Sequence, residues 1–241
     1  MKKNLITGGC LLLSLLIPFS SGYADFGSIF KKVQEAIGGS SGVSQDEIVD
    51  GLKEALEIGA GKTVQALSQV NGYYDNPQLR IPLPQSLQKF EKILRATGFA
   101  SELDAFELSM NRAAEKAAPE AKTLFVDAIR EMTFSDADKI LKGADNEATA
   151  YFKNKTSGKL QALFKPIIEQ SIESVGVTRS YQSLSEKIQS IPFAGDYAVD
   201  LDDYVTEKAI DGLFIRLAEE EAKIRNDPAA RVTDLLKKVF Q

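Results

Sequence analysis

From Gln85 onward the chain spaces its apolar residues three and four apart, and it interrupts that spacing only at chemically legible points. Those points are Gly98, Pro119, Ser135, Gly143, Gly176 and the stretch IPFAGDY at 191–197. Spacing of this kind puts apolar side chains on one side of a 3.6-residue turn, whereas a half-buried strand needs a period of two. No run is read as alternating for the length of a strand, and no repeat of fixed period appears. The expectation is therefore all-α: a single multi-helix, bundle-like domain. Helices are expected near 85–97, 101–117, 119–132, 135–142, 146–174, 178–190, 202–226 and 228–240, with Ser135 capping the fourth. Pro166 removes an amide donor, so it should kink the helix over 146–174 or divide it in two.

The region before Gln85 has a different make-up. Phe26, Ile29, Phe30, Val33 and Ile37 fall at helical spacing, and the flexible run GGSSG at 38–42 tethers this short amphipathic helix to the rest of the chain. Ser44 and Glu47 have the spacing of a capping box for a helix reaching about Val70, in which Gly51, Gly59 and Gly61 weaken the helix. NGYYDNPQLRIPLPQ ends it as an extended or turning connection, and Pro84 suits the first turn of the next helix. Toward the other end, Asp227 and Pro228 open the last helix, along which Val232, Leu235, Leu236, Val239 and Phe240 form one stripe. The helix over 202–226 is apolar on two sides: Ile210, Leu213, Phe214, Leu217 and Ile224 share one, and Tyr204, Val205 and Ile215 lie on the other. That predicts a central helix whose charged tail, AEEEAKIR, emerges toward solvent.

Residues 1–24 have the layout of a secretory signal peptide: Lys2 and Lys3, an apolar run from Cys10 to Phe19, then Gly22 and Ala24 where a peptidase reads small residues. The apolar run is half the ~20 residues a membrane span needs. Cys10 precedes that run instead of following it, which speaks against lipidation there. An exported, periplasmic protein cut near Ala24 is expected, with 25–43 as helix plus linker and 44–241 as the helical domain. Loss of two lysines lowers Lys plus Arg from 29 to 27 against 34 acidic residues, a net charge of −7, and so argues against a nucleic-acid partner.

The composition also closes off chemistry. These 241 residues contain no histidine, and Cys10 is the one cysteine. Histidine-dependent triads, Cys-His pairs and the usual zinc ligand sets are excluded, and no phosphate-cradling glycine motif is present. No cofactor is expected. Carboxylate chemistry, Ser or Tyr with Lys, and oxygen-ligand metals remain.

Within ELSMNRAAEKAAPEAK at 107–122, Asn111, Arg112 and Glu115 sit at the centre of an alanine-rich helix. On a helical wheel Leu103, Phe106, Met110, Ala113, Ala114 and Ala117 make the packed side, and the three polar residues form another. If that second side lines a cleft, Glu115 is a candidate general acid or base and Arg112 an anion clamp, with Asn111 and Arg130 as further ligand contacts. The plainer expectation is a structural polar network. Glu219 and Glu220 are candidates for a second carboxylate. Asp136 and Asp138 are weak candidates for a hard cation, although acidic residues in a first helical turn ordinarily stabilise the helix dipole. Lys153, Lys155, Lys159 and Lys165 make a local basic run that suits an anionic surface or a solvated helix side.

IPLPQSL, SMNRAAEKAAPEAKTLFVDAIREM, DADKILKG, ATAYF and DGLFIRLAEEEAKIRNDPAARVTDLLKKVF together resemble the bacterial family called domain of unknown function 4197, over roughly residues 44–240. The resemblance implies an exported, all-helical envelope protein and brings no activity, cofactor or catalytic residue with it. The leading expectation is a non-enzymatic protein that binds an envelope protein, peptide or lipid in a groove between helices. For the amphipathic helix two expectations stand side by side: peripheral membrane contact through Phe26, Ile29 and Phe30, or folding back onto the helical domain. The rival is a carboxylate-dependent hydrolase of an envelope polymer built on Glu115 with Glu219 or Glu220.

Overall fold

The computed structural model describes residues 45–174, 177–189 and 200–226, within a compact unit spanning residues 41–241. The signal segment, the amphipathic helix with Phe26, Ile29 and Phe30, Ser44 of the expected capping box, the break at 191–197 and the expected helix 228–240 all lie outside the described residues. Among the described residues every regular element is helical. In chain order these are α1 (Gln45–Leu67), α2 (Gln85–Gln88), α3 (Glu91–Ala96), α4 (Ala100–Ala117), a 3₁₀ turn (Ala118–Glu120), α5 (Ala121–Arg130), α6 (Phe134–Lys142), α7 (Glu147–Ser174), α8 (Val177–Gln189) and α9 (Leu201–Asn226).

The two long helices α7 and α9 pack on each other at the centre; α4 and α5 cover α7, and α1 and α4 cover α9. The two-sided pattern of α9 has this cause, since Val205, Ala209 and Leu213 are all fully buried between neighbours. Phe125 of α5 meets Phe152 of α7 with ring centroids 5.0 Å apart and Phe214 of α9 at 6.3 Å, so one aromatic cluster ties three helices. Ile215, expected on an apolar side, is instead 42% exposed.

Several expected boundaries differ in instructive ways. The helix expected at 85–97 is two short helices, because the chain tightens at Phe90, whose N–H bonds Leu87 three residues back. The break at Gly98 is a true one, with a φ of +96° that a side chain would oppose. Pro119 sits in a single 3₁₀ turn that carries α4 into α5 without a loop. Pro166 does not divide α7, which continues through it. Thr133, and not Ser135, caps α6: its hydroxyl accepts the Asp136 N–H and its own N–H donates to the Asp136 carboxylate at 3.0 Å.

Candidate functional site

The packed side of α4 is as the helical wheel requires, with Leu103, Phe106, Met110, Ala113, Ala114 and Ala117 no more than 1% exposed. On its other side the polar groups of Asn111, Arg112 and Glu115 all turn toward one segment of the chain, the connection after α1. Fully buried Asn111 treats Ile81 as a neighbouring strand would: Nδ2 donates to the Ile81 carbonyl at 2.9 Å and Oδ1 accepts the Ile81 N–H at 2.9 Å. Glu115 Oε1 accepts the Tyr73 N–H at 3.3 Å, and Oε2 accepts Nη1 of Arg112 at 2.5 Å. The other terminal nitrogen of Arg112 donates to the Asn71 side chain. Asn71 holds a φ of +70°, which asparagine tolerates better than most residues. This is the structural polar network of the plainer expectation. Both oxygens of the Glu115 carboxylate are hydrogen-bonded within it.

The segment it holds is itself deeply anchored. Tyr73 is fully buried, and its hydroxyl donates to the Ala209 carbonyl in α9 at 2.8 Å. Burial, reinforced by Glu115, pushes the phenol well above its ordinary value, so it stays a donor. Gly212 makes room for the ring: a Cβ there would stand 2.7 Å from Tyr73 Cε1. Beyond Tyr73 the chain turns again through residues 77–79 and then runs without turns from Arg80 to Pro84, and Leu79, Ile81 and Leu83 are buried while Gln78, Arg80 and Pro82 are exposed. Tyr204 of α9 closes this stretch by donating to the Pro82 carbonyl at 3.0 Å. The extended or turning connection expected over NGYYDNPQLRIPLPQ is thus present, and within QLRIPL exposed and buried residues alternate. The groove between α4 and α9 is thus filled by the chain's own residues. Each of the three buried aliphatic side chains contributes roughly 1.5–3 kcal/mol, which makes the segment a fixed part of the fold.

Its outward side presents Tyr74 and Arg80. The Arg80 guanidinium lies 4.4 Å from the Tyr74 ring centroid, and its Nε donates to the Tyr74 carbonyl at 2.6 Å. Glu107 of α4 is nearby and half-buried; burial pushes its carboxyl upward and the Arg80 charge pulls it part of the way back.

The remaining candidates are dispersed. Arg130 is 77% exposed on its side chain and 3.8 Å from Asp127. Glu219 pairs with Arg216 at 2.6 Å, and Glu220 pairs with both Arg216 and Lys223. Asp136 belongs to the α6 capping box, and Asp138 pairs with Lys142 at 2.7 Å. Among the described residues no group of three or more acidic side chains is placed to hold a metal ion. Of the basic run, Lys165 pairs with Asp203, while the Lys153 and Lys155 ammonium groups lie 6.0 and 5.7 Å from the ring centroids of Phe214 and Tyr151.

The tail of α9 departs from expectation. Glu220 and Glu221 are buried and Lys223 is the exposed residue of AEEEAKIR, so the tail does not emerge as a whole into solvent. Glu221 accepts the N–H groups of Ala148 and Thr149 at 2.9 and 2.8 Å and the Thr149 hydroxyl at 2.7 Å, capping α7 from another helix. Arg225 pairs with it at 2.8 Å and donates to the Ile140 carbonyl. No local pattern signals this, because the partners lie 72 and 73 residues apart. Where α1, α7 and α9 meet, beside Gly59, Phe152 and Glu220, the interior space is about 10 Å³. That is room for one water at most.

A family model described as protein of unknown function (DUF4197) matches residues 42–241. The chain belongs to the DUF4197 family. No curated protein and no solved structure matches it. The DUF4197 match covers α1 through α9, and with them the anchored segment and every residue that holds it. The description of DUF4197 assigns no activity, so the candidate site rests on geometry. Among the described residues no helix is long and apolar enough to cross a membrane.

Proposed function

We propose that this DUF4197 protein is an exported, non-catalytic envelope protein that binds a partner protein through residues 71–84. The observation that carries this reading is that three α4 side chains, Asn111, Arg112 and Glu115, reach across to bond Ile81, Asn71 and Tyr73 of that connection. Two helices can be joined by 2–8 residues, and longer loops that are held in place are commonly functional. Here the join from Ser68 to Pro84 is long, is fixed from beneath by α4 and α9, and displays Tyr74, Pro77, Arg80 and Pro82. Arginine and tyrosine are residue types that dominate binding hot spots. A groove opened between α4 and α9 for a partner would first require expulsion of Leu79, Ile81 and Leu83, so the contact belongs on the outward side.

The hydrolase reading loses its support on the same observations. It needs two carboxylates facing an open cleft. Glu115 is engaged by Tyr73 and Arg112, and Glu219 and Glu220 are engaged by Arg216. Export is supported by residues 1–24.

The test is a photo-crosslinking amino acid placed at Tyr74 or at Gln78 in the full chain in its producing cell, with exposed Gln161 as control. One discrete crosslinked species from 74 and 78, absent from 161 and found with protein lacking residues 1–24, is expected. Equal or absent crosslinking at all three positions would overturn the reading.

A further inference from the structure

We infer that Arg80 is the anchor of this surface and that it takes a carboxylate of an extended peptide in the partner. This inference rests on the proposed function above and adds the chemistry of recognition.

An exposed arginine ordinarily gains little from meeting an anion, because a flexible side chain must be ordered to do so. Arg80 is already ordered. Its guanidinium is stacked 4.4 Å from the Tyr74 ring centroid, and its Nε is tethered at 2.6 Å to the Tyr74 carbonyl. Tyr74 is in turn fixed by its neighbours Tyr73 and Asn71, which α4 holds. Among the described residues Arg80 forms no ion pair, unlike Arg95, Arg112, Arg216 and Arg225, each of which has a carboxylate partner within 3 Å. Two terminal nitrogens in a fixed plane are thereby left to accept a planar, two-oxygen anion, for which the guanidinium fork is matched. Binding then forgoes most of the ordering cost, which is how preorganisation raises affinity.

The surroundings select the source of the anion. Asp75 and Asp104 are exposed near this segment and along α4, Glu107 is half-buried beside Arg80, and the whole chain carries a net charge of −5. A polyanionic membrane surface would meet those carboxylates together with Arg80 and be repelled. A single carboxylate on a peptide needs only the two terminal nitrogens of Arg80, and exposed Pro77 and Pro82 belong to the same segment.

The experiment uses the ¹⁵N-labelled protein and follows the Arg80 Nε–H signal during titration with acetyl-aspartyl-amide. Parallel titrations use inorganic phosphate, and vesicles of phosphatidylcholine with or without phosphatidylglycerol. The Arg80 signal is expected to saturate at about fivefold lower acetyl-aspartyl-amide concentration than that of Arg130, an exposed arginine without stacking. Tyr74→Leu should remove that advantage with the melting temperature unchanged, and Arg80→Lys, followed at the Tyr74 backbone amide, should abolish the saturable shift that this amide shows in the natural protein. Arg80 and Arg130 titrating together, or no effect of Tyr74→Leu, would overturn the inference. Tighter response to phosphate or to phosphatidylglycerol vesicles would replace the peptide carboxylate by an anionic headgroup. Discrete crosslinking from Tyr74 that survives Arg80→Lys would leave the proposed function standing and this anchor refuted.

Discussion

Glu115 and Glu221 are two buried carboxylates that do similar work in different places. Each reaches out of a helix to accept backbone N–H groups from a distant segment, and each is paired with an arginine on its own helix. Glu221 meets the N-terminus of α7, where orphan amides and the helix dipole both favour a negative charge. Its Arg225 partner is 8% exposed, so the pair is sealed inside. Glu115 meets an irregular connection, and its Arg112 partner is 35% exposed at the surface. The first carboxylate joins helices to each other; the second holds a connection against them. A buried charge network is therefore not by itself a sign of a site: the segment it holds decides.

The comparison predicts unequal responses to mutation. Glu221→Ala should be the most damaging single change, costing about 3–5 kcal/mol in urea unfolding, because it removes one side of a buried ion pair together with the carboxylate that caps α7. A loss below about 1 kcal/mol would mean that the α9 tail is not sealed as described. Gly212→Ala comes next. Its Cβ would stand 2.7 Å from Tyr73 Cε1, so the ring must shift, at a cost of about 1–3 kcal/mol. Tyr73→Leu in the same background should recover part of that loss, whereas additive costs would show that Gly212 acts through another neighbour.

A smaller effect is expected at the α6 cap. The Thr133 hydroxyl and N–H hold the Asp136 carboxyl below its ordinary value. A depressed folded value means stability present above the unfolded value, near 4, and lost as pH falls through the folded one. Thr133→Ala should therefore cost about 1 kcal/mol at neutral pH and progressively less in acid, as followed by unfolding at several pH values. The smallest change should be a gain. Gly158 in α7 has nothing within 4 Å of where a Cβ would sit, so Gly158→Ala should stabilise by about 0.5–1 kcal/mol. Because Gly158 and Gly212 both lie inside long helices, opposite signs for the two alanines would isolate the Tyr73 contact as the difference.

Much of the fold was legible because helices announce themselves locally. Leu201–Asn226 and Glu147–Ser174 emerge from apolar spacing within one residue at each end. The packed side of α4 comes from the same rule, as does the polar cluster at Asn111, Arg112 and Glu115. The segment those residues hold was not legible, since Asn111 and Ile81 are 30 residues apart and Tyr73 and Ala209 are 136 apart. Nor does a local pattern separate Thr133 from Ser135 as a cap, both being hydroxyl residues at one helix start. QLRIPL was legible as part of an extended or turning connection through its prolines, but Asn111, which supplies the bonds a second strand would have supplied, was not legible as its partner.

The central claim is that α4 holds residues 71–84 as a fixed element of the folded protein. Native-state hydrogen exchange at the Tyr73 and Ile81 amides tests it most directly, in the natural protein and in Asn111→Ala. Both amides are expected to be protected to nearly the same degree as the centres of α7 and α9. In Asn111→Ala protection at Ile81 should fall by at least about tenfold while α7 and α9 keep theirs. Rapid exchange of Tyr73 and Ile81 in the natural protein, or uniform loss across the helices in the variant, would contradict it.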